Sequence, residues 1–175
     1  ALEARQRLVE TGLAYLDRLA ATAGDDPELL EELAEAYFRI GDIQGNPRRA
    51  NLGDAQAALT SYDRSVELRE RLARVAPSAG STIALARTRL AIAETLTSTP
   101  RAEQSAEFAE RTIDTLAGLE TSDADEVRVM AEQRLGTAML NRGRPDDALT
   151  HFQRALDASE RLAAGGDPVL VRRDR

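Results

Sequence analysis

Leu135-Gly136-Thr137-Ala138-Met139, followed by Ala148-Leu149-Thr150-His151-Phe152-Gln153-Arg154-Ala155-Leu156, decides the fold. Gly143-Arg144-Pro145-Asp146-Asp147 lies between them and reads as a turn, because Gly ends a helix and Pro opens the next one. The segment is therefore two helices laid side by side. Gly136 and Ala148 are small, as a close helix crossing requires. Phe152 is large and fills the space beside that crossing.

Apolar residues recur at helical spacing through the rest of the chain. A leading helix spans about 2–22, with Leu8 or Val9, Leu13, Leu16 and Leu19 on one stripe. Asp26-Pro27 caps a second helix over about 27–41, whose stripe is Leu30, Leu33, Ala34, Tyr37 and Ile40. An insertion at 43–53, rich in Gly, Asn and Pro, precedes a third helix over about 54–75. A fourth helix covers about 81–98, a fifth 101–118, a sixth 123–142 and a seventh runs to 164. Gly165-Gly166-Asp167-Pro168 reads as a turn and Val169–Arg175 as the start of a further helix, as in a piece of a longer protein.

Composition supports helices. Of 175 residues 42% are hydrophobic but only 3% aromatic, so Ala and Leu supply the core. The net charge of −7 argues against sequence-independent nucleic-acid binding, which needs a basic surface. There is no Cys, which excludes disulfides, thiolate catalysis and cysteine zinc sites. No apolar run reaches the roughly 18 residues of a membrane span, so membrane insertion is not expected. No signal peptide is visible, and the compartment stays open between cytoplasm and the outer side of a membrane.

The Leu-Gly-x2-Met, Ala-x3-Phe-x2-Ala-Leu spacing resembles the tetratricopeptide repeat, a helix–turn–helix unit of about 34 residues. Leu33-Ala34-x2-Tyr37 and Ala58-Leu59-x2-Tyr62 form a first copy over 27–75, with Ala34 standing where Gly136 stands in the third. The second copy, 81–118, is degenerate, with Glu94 in the place usually held by Tyr. The third is 123–164, and 165–175 would begin a truncated fourth. The resemblance implies an all-α superhelix of about seven antiparallel helices that binds other proteins.

A narrower block, Gly41-Asp42-Ile43-Gln44-Gly45-Asn46-Pro47, Ala50-Asn51-Leu52-Gly53-Asp54 and Ala57-Ala58-Leu59-x-Ser61-Tyr62, resembles helical-repeat regions of bacterial serine/threonine protein kinases. It implies a sensing or docking region attached to a kinase. The kinase's Gly-rich loop, His-Arg-Asp and Asp-Phe-Gly are absent, so no phosphoryl transfer is expected of these residues.

The repeat's first helices line its groove. Counting from Leu33 and Leu135 places Glu31, Glu35, Phe38, Arg39, Gln133, Thr137, Leu140 and Asn141 there, with Thr88, Ile92 and Thr95 between. This mixed face suits an extended peptide or a helix, and equally an ordinary solvated surface. Glu31 and Glu35 sit where some repeat proteins place Lys and Asn to grip a terminal carboxylate, which disfavours such tails.

The loop residues Asn46, Arg48, Arg49 and Asn51 read either as a partner contact or as a structural loop with solvated arginines, the latter preferred. His151, the one histidine, lacks catalytic partners and is expected to point sideways or outward. Asp25-Asp26 and Asp146-Asp147 read as turn and cap residues rather than calcium ligands. Tyr15, Tyr37, Tyr62, Phe108 and Phe152 read as core, and Phe38 as an exposed aromatic. No cofactor or metal is implied. A small-molecule sensor, and self-association through exposed repeat ends, are the other functions the sequence allows.

Overall fold

The computed structural model describes residues 2–165, all-helical throughout. In order the helices are α1 (Leu2–Ala20), α2 (Pro27–Gly45), α3 (Ala55–Val75), α4 (Ala79–Leu96), α5 (Ser105–Thr115), α6 (Ser122–Asn141) and α7 (Pro145–Gly165). A single 3-10 turn, Ala102–Gln104, leads into α5.

The ends obey local chemistry. Asp26 accepts the amides of Glu28 and Leu29 with Pro27 at the first turn of α2. Asp54 caps α3 through Ala57, Ser78 and Ser81 form a reciprocal capping box on α4, and Thr121 caps α6. Gly143 takes φ +69 in the α6–α7 turn, a conformation open to Gly at no steric cost.

α2 with α3, α4 with α5, and α6 with α7 form hairpins that stack in chain order. Their antiparallel sense is visible in the bonds. Tyr62 meets Asp42, Ser65 meets Ala34 and Arg69 meets Glu31, so residue numbers rise on α3 as they fall on α2. α1 packs on α2 as a lone leading helix. The core follows the stack. One cluster joins Leu30, Leu33, Tyr37, Leu68 and Leu72; the next joins Leu59, Tyr62, Ala91, Ile92 and Leu96; a third joins Leu90, Leu116, Val127 and Ala131. The helices of each layer pack only against neighbouring layers, as a repeat stack requires. This is the all-α, tetratricopeptide-like architecture that the Leu135–Leu156 spacing predicts.

The helix ends and some core assignments differ from the sequence-based expectation. α2 continues to Gly45, one turn beyond the expected end at 41, and α5 is shorter than 101–118 at both ends. Tyr15 is 57% exposed and Phe152 is 36% exposed, where both were expected inside. Tyr15 takes no part in the cluster that joins α1 to α2. Phe152 covers Gly136 with one face of its ring, while no described helix covers the other. With Leu140, Leu149 and Leu156 it leaves an apolar strip exposed on the last hairpin. The expected helix start at Val169 lies outside the described residues.

Candidate binding groove

The longer α2 comes from two close approaches. A Cβ on Gly41 would stand 2.6 Å from the Tyr62 ring, and one on Gly45 would stand 2.8 Å from the Ala55 Cα. The chain then turns back on the last turn of α2. Leu52 N–H donates to the Ile43 carbonyl and Asp54 N–H to that of Gln44, both at 2.9 Å. These bonds satisfy carbonyls that a helix end otherwise leaves open.

The loop between α2 and α3, residues 46–54, is built from side-chain bonds. Asn46 is buried; its amide donates to Asp42 at 2.6 Å and its Oδ1 accepts the Arg48 amide. Asn51 donates to the carbonyls of Asn46 and Arg49 and accepts the Gly53 amide. Asp42 also accepts the Tyr62 hydroxyl at 2.7 Å. Burial and this bond push the Tyr62 phenol well above its usual range.

The loop arginines are not free in solvent, contrary to the sequence reading. Arg48 crosses to α4, where its Nη2 stands 2.6 Å from Glu94 Oε1. That contact is an ion pair by distance, but it is not aligned as a hydrogen bond. Its Nη1 reaches the Met130 sulfur on α6 at 3.1 Å. Arg49 lies 3.4 Å from Asp42. The loop thus spans from the first hairpin to the third.

The expected groove residues separate into three groups. On α2, Glu31 and Glu35 turn toward α3 and hold Arg69, at 3.4 and 2.8 Å, while Arg39 pairs with Glu35. Phe38 is half-buried against Tyr62, ring centroids 5.7 Å apart, and is not the exposed aromatic expected. On α4, Thr88, Ile92 and Thr95 are buried rather than groove-facing. The central helix has hairpins on both sides and the loop above it, and residues 90–96 are buried on every face. On α6, Gln133, Thr137, Leu140 and Asn141 are exposed.

Sequence reasoning passed over the most unusual residues. Glu94 is 5% exposed, and burial raises its pKa against the opposing pull of Arg48 and Arg134. Its signal was present, since a Glu occupied a repeat position usually held by Tyr. Arg69, 2% exposed, gave no such signal. His151 is not free either; its Nδ1 is 2.7 Å from the buried Glu132 carboxylate. Among the described residues no group of three or more His, Asp or Glu is placed to hold a metal ion. No helix there is long and apolar enough to cross a membrane.

No protein-family model and no curated protein matches this sequence. Solved structures resemble it, MamA among them. The crystal structure of MamA is 16% identical, with a TM-score of 0.41, over 85% of this chain and 87% of that one. The fold assignment above rests on the helices and their packing.

Proposed function

We propose that this chain is a protein-interaction scaffold, and that it serves as the regulatory or sensor region of a bacterial signalling protein such as a serine/threonine kinase. The observation that carries the scaffold reading is the exposed polar stripe Gln133, Thr137 and Asn141 on α6, the helix whose Met130 is reached by the loop's Arg48. Stacked hairpins supply a rigid, extended surface of this kind, and peptides dock on such surfaces by backbone and side-chain contacts. The signalling context is supported by the resemblance of the Gly41–Tyr62 block, whose Asp42, Asn46, Asn51 and Tyr62 form one bonded corner.

The experiment compares pull-downs by the wild-type chain and by Thr137→Trp, which fills the stripe. A partner lost in Thr137→Trp but kept by Thr60→Trp, on the exposed face of α3, supports the groove. No partner, together with tight binding of a small molecule, counts against it. The full-length reading frame tests the kinase context directly.

Self-association is a second reading, favoured by the exposed strip Leu140, Leu149, Phe152 and Leu156. Light scattering over a concentration series tests it, and a monomer at high concentration removes it. The small-molecule sensor has weaker support. The cleft between α1 and α3 measures about 530 Å³, but Asp17, Arg64, Glu67 and Arg71 line it, unlike a mostly apolar ligand pocket.

A further inference from the structure

We propose that Leu149, Phe152 and Leu156 of α7 seat an amphipathic helix of a partner protein, one whose face repeats that of α4. The inference rests on the scaffold reading above and names the partner's chemistry.

α3 and α7 are copies of one helix. Ala58-Leu59-Thr60 and Glu70-Arg71-Leu72-Ala73 recur in step as Ala148-Leu149-Thr150 and Glu160-Arg161-Leu162-Ala163. Between them Tyr62 and Val66 become Phe152 and Leu156. Their seats agree as well, since Tyr62 rests on Gly41 and Phe152 on Gly136. What lies over them differs. α4 covers α3, so that Leu59 and Tyr62 are buried in one cluster with Ala91, Ile92 and Leu96, and Val66 packs against it. α7 has α6 as its only packed neighbour among the described helices, and Leu149 and Leu156 stay 67% and 51% exposed. Contiguous exposed apolar side chains mark interaction sites, and the covered copy shows what fits this one.

The charges set the register. Glu70 of α3 pairs with Arg89 of α4 at 2.6 Å. Its counterpart Glu160 is exposed, and no cation stands within 4.0 Å of it among the described residues. A helix laid on α7 as α4 lies on α3 therefore carries Arg opposite Glu160, with Ala, Ile and Leu behind it at the spacing of Ala91, Ile92 and Leu96. An apolar helical face flanked by a complementary charge is what a helix-binding surface selects. A second copy of this chain does not supply such a helix. Its α4 is enclosed in its own stack, and on α1, where Leu8 and Tyr15 are exposed, no Arg is followed by Ala, Ile and Leu at this spacing.

The test titrates the full chain into a fluorescent helical peptide and reads anisotropy. The peptide carries Arg, Ala, Ile and Leu at the α4 spacing on a background of alanine and glutamine. Saturable binding is expected. Leu149→Gln and Leu156→Gln change exposed positions and should each weaken it about tenfold, as loss of an apolar anchor does. Leu8→Gln, on α1, should leave it unchanged. Glu160→Arg should weaken binding about threefold, the range of a surface ion pair, and a peptide with Glu in place of its Arg should recover it. A merely sticky patch would show no such recovery. Circular dichroism checks that each variant keeps the wild-type helix content. Absence of saturable binding, an equal loss in Leu8→Gln, or no recovery with the exchanged charges overturns the helix seat. Light scattering then tells a second copy on the strip, a dimer that Leu149→Gln dissolves, from a chain that stays monomeric. The scaffold reading has its own test in the Thr137→Trp pull-down and stands or falls there.

Discussion

The Tyr62 ring rests on Gly41, so closely that a Cβ there would meet Cε1 at 2.6 Å. Phe152 rests on Gly136 in the third hairpin in the same way, at 2.5 Å. The sequence pattern assigned the small-residue role of Gly136 to Ala34. In the first hairpin it falls seven residues later, two helical turns along the same face. The loop insertion lengthens α2 and carries the crossing with it. Ala34 instead offers its carbonyl to the Ser65 hydroxyl at 2.7 Å.

The two crossings should respond differently to a methyl group. Tyr62 is fully buried and its hydroxyl is held by Asp42, so it cannot withdraw. Gly41→Ala should destabilise by about 1–3 kcal/mol despite the better helix propensity of Ala. Phe152 is partly exposed and its ring can swing toward solvent. Gly136→Ala should therefore stay within about 1 kcal/mol of wild type, because the propensity gain offsets the shift. Denaturant melts of the two variants check the contrast, and equal losses would refute it.

Glu94 should lower stability at neutral pH. Its folded pKa is raised, chiefly by burial, so the stability it contributes is present below the unfolded value near 4.5 and lost as pH rises through the folded pKa. Glu94→Gln mimics the protonated form, and Arg48, half in water, tolerates losing the charge. The variant should melt at or above the wild-type temperature at pH 7 and converge with it near pH 4. A lower Tm for Glu94→Gln at pH 7 would mean that the pair with Arg48 outweighs the burial cost.

Asp125 works in the opposite direction. It is buried, and Arg161 and Arg128 lower its pKa by donating hydrogen bonds to it. Its contribution is present above the unfolded value of about 3.8 and lost as pH falls through the folded pKa. Asp125→Asn should cost about 2 kcal/mol at pH 7, in line with hydrogen bonds to a charged group. The cost should shrink toward zero in strong acid. Melts across pH read both features.

Arg69 should act more through its bulk than through its charge. Its side chain is 2% exposed, but Glu31 and Glu35 are 48% and 40% exposed and can be hydrated if it is lost. Arg69→Ala should cost about 2–4 kcal/mol, mainly from the cavity and the lost packing of the stem. Arg69→Met refills the volume and should recover at least half of that. Equal losses in the two variants would place the energy in the ion pairs instead.

The sequence by itself determined the architecture. Seven helices, their stacking order and the tight crossing at Gly136 follow from apolar spacing, Gly and Pro punctuation and capping residues, all of which are local chemistry. It also showed Glu94 in a repeat position usually held by Tyr, without revealing that the carboxylate is buried. The three-dimensional arrangement decided the groove. That the loop reaches across to Glu94 and Met130, that Thr88 and Thr95 are buried, and that Glu31 and Glu35 turn to Arg69 depend on contacts between residues 34 to 82 positions apart in most of these pairs. Helical periodicity says which side of a helix is apolar. Which neighbour covers the polar side depends on how far each helix runs before it turns, and here that distance was set by two glycines that let Tyr62 and Ala55 come close.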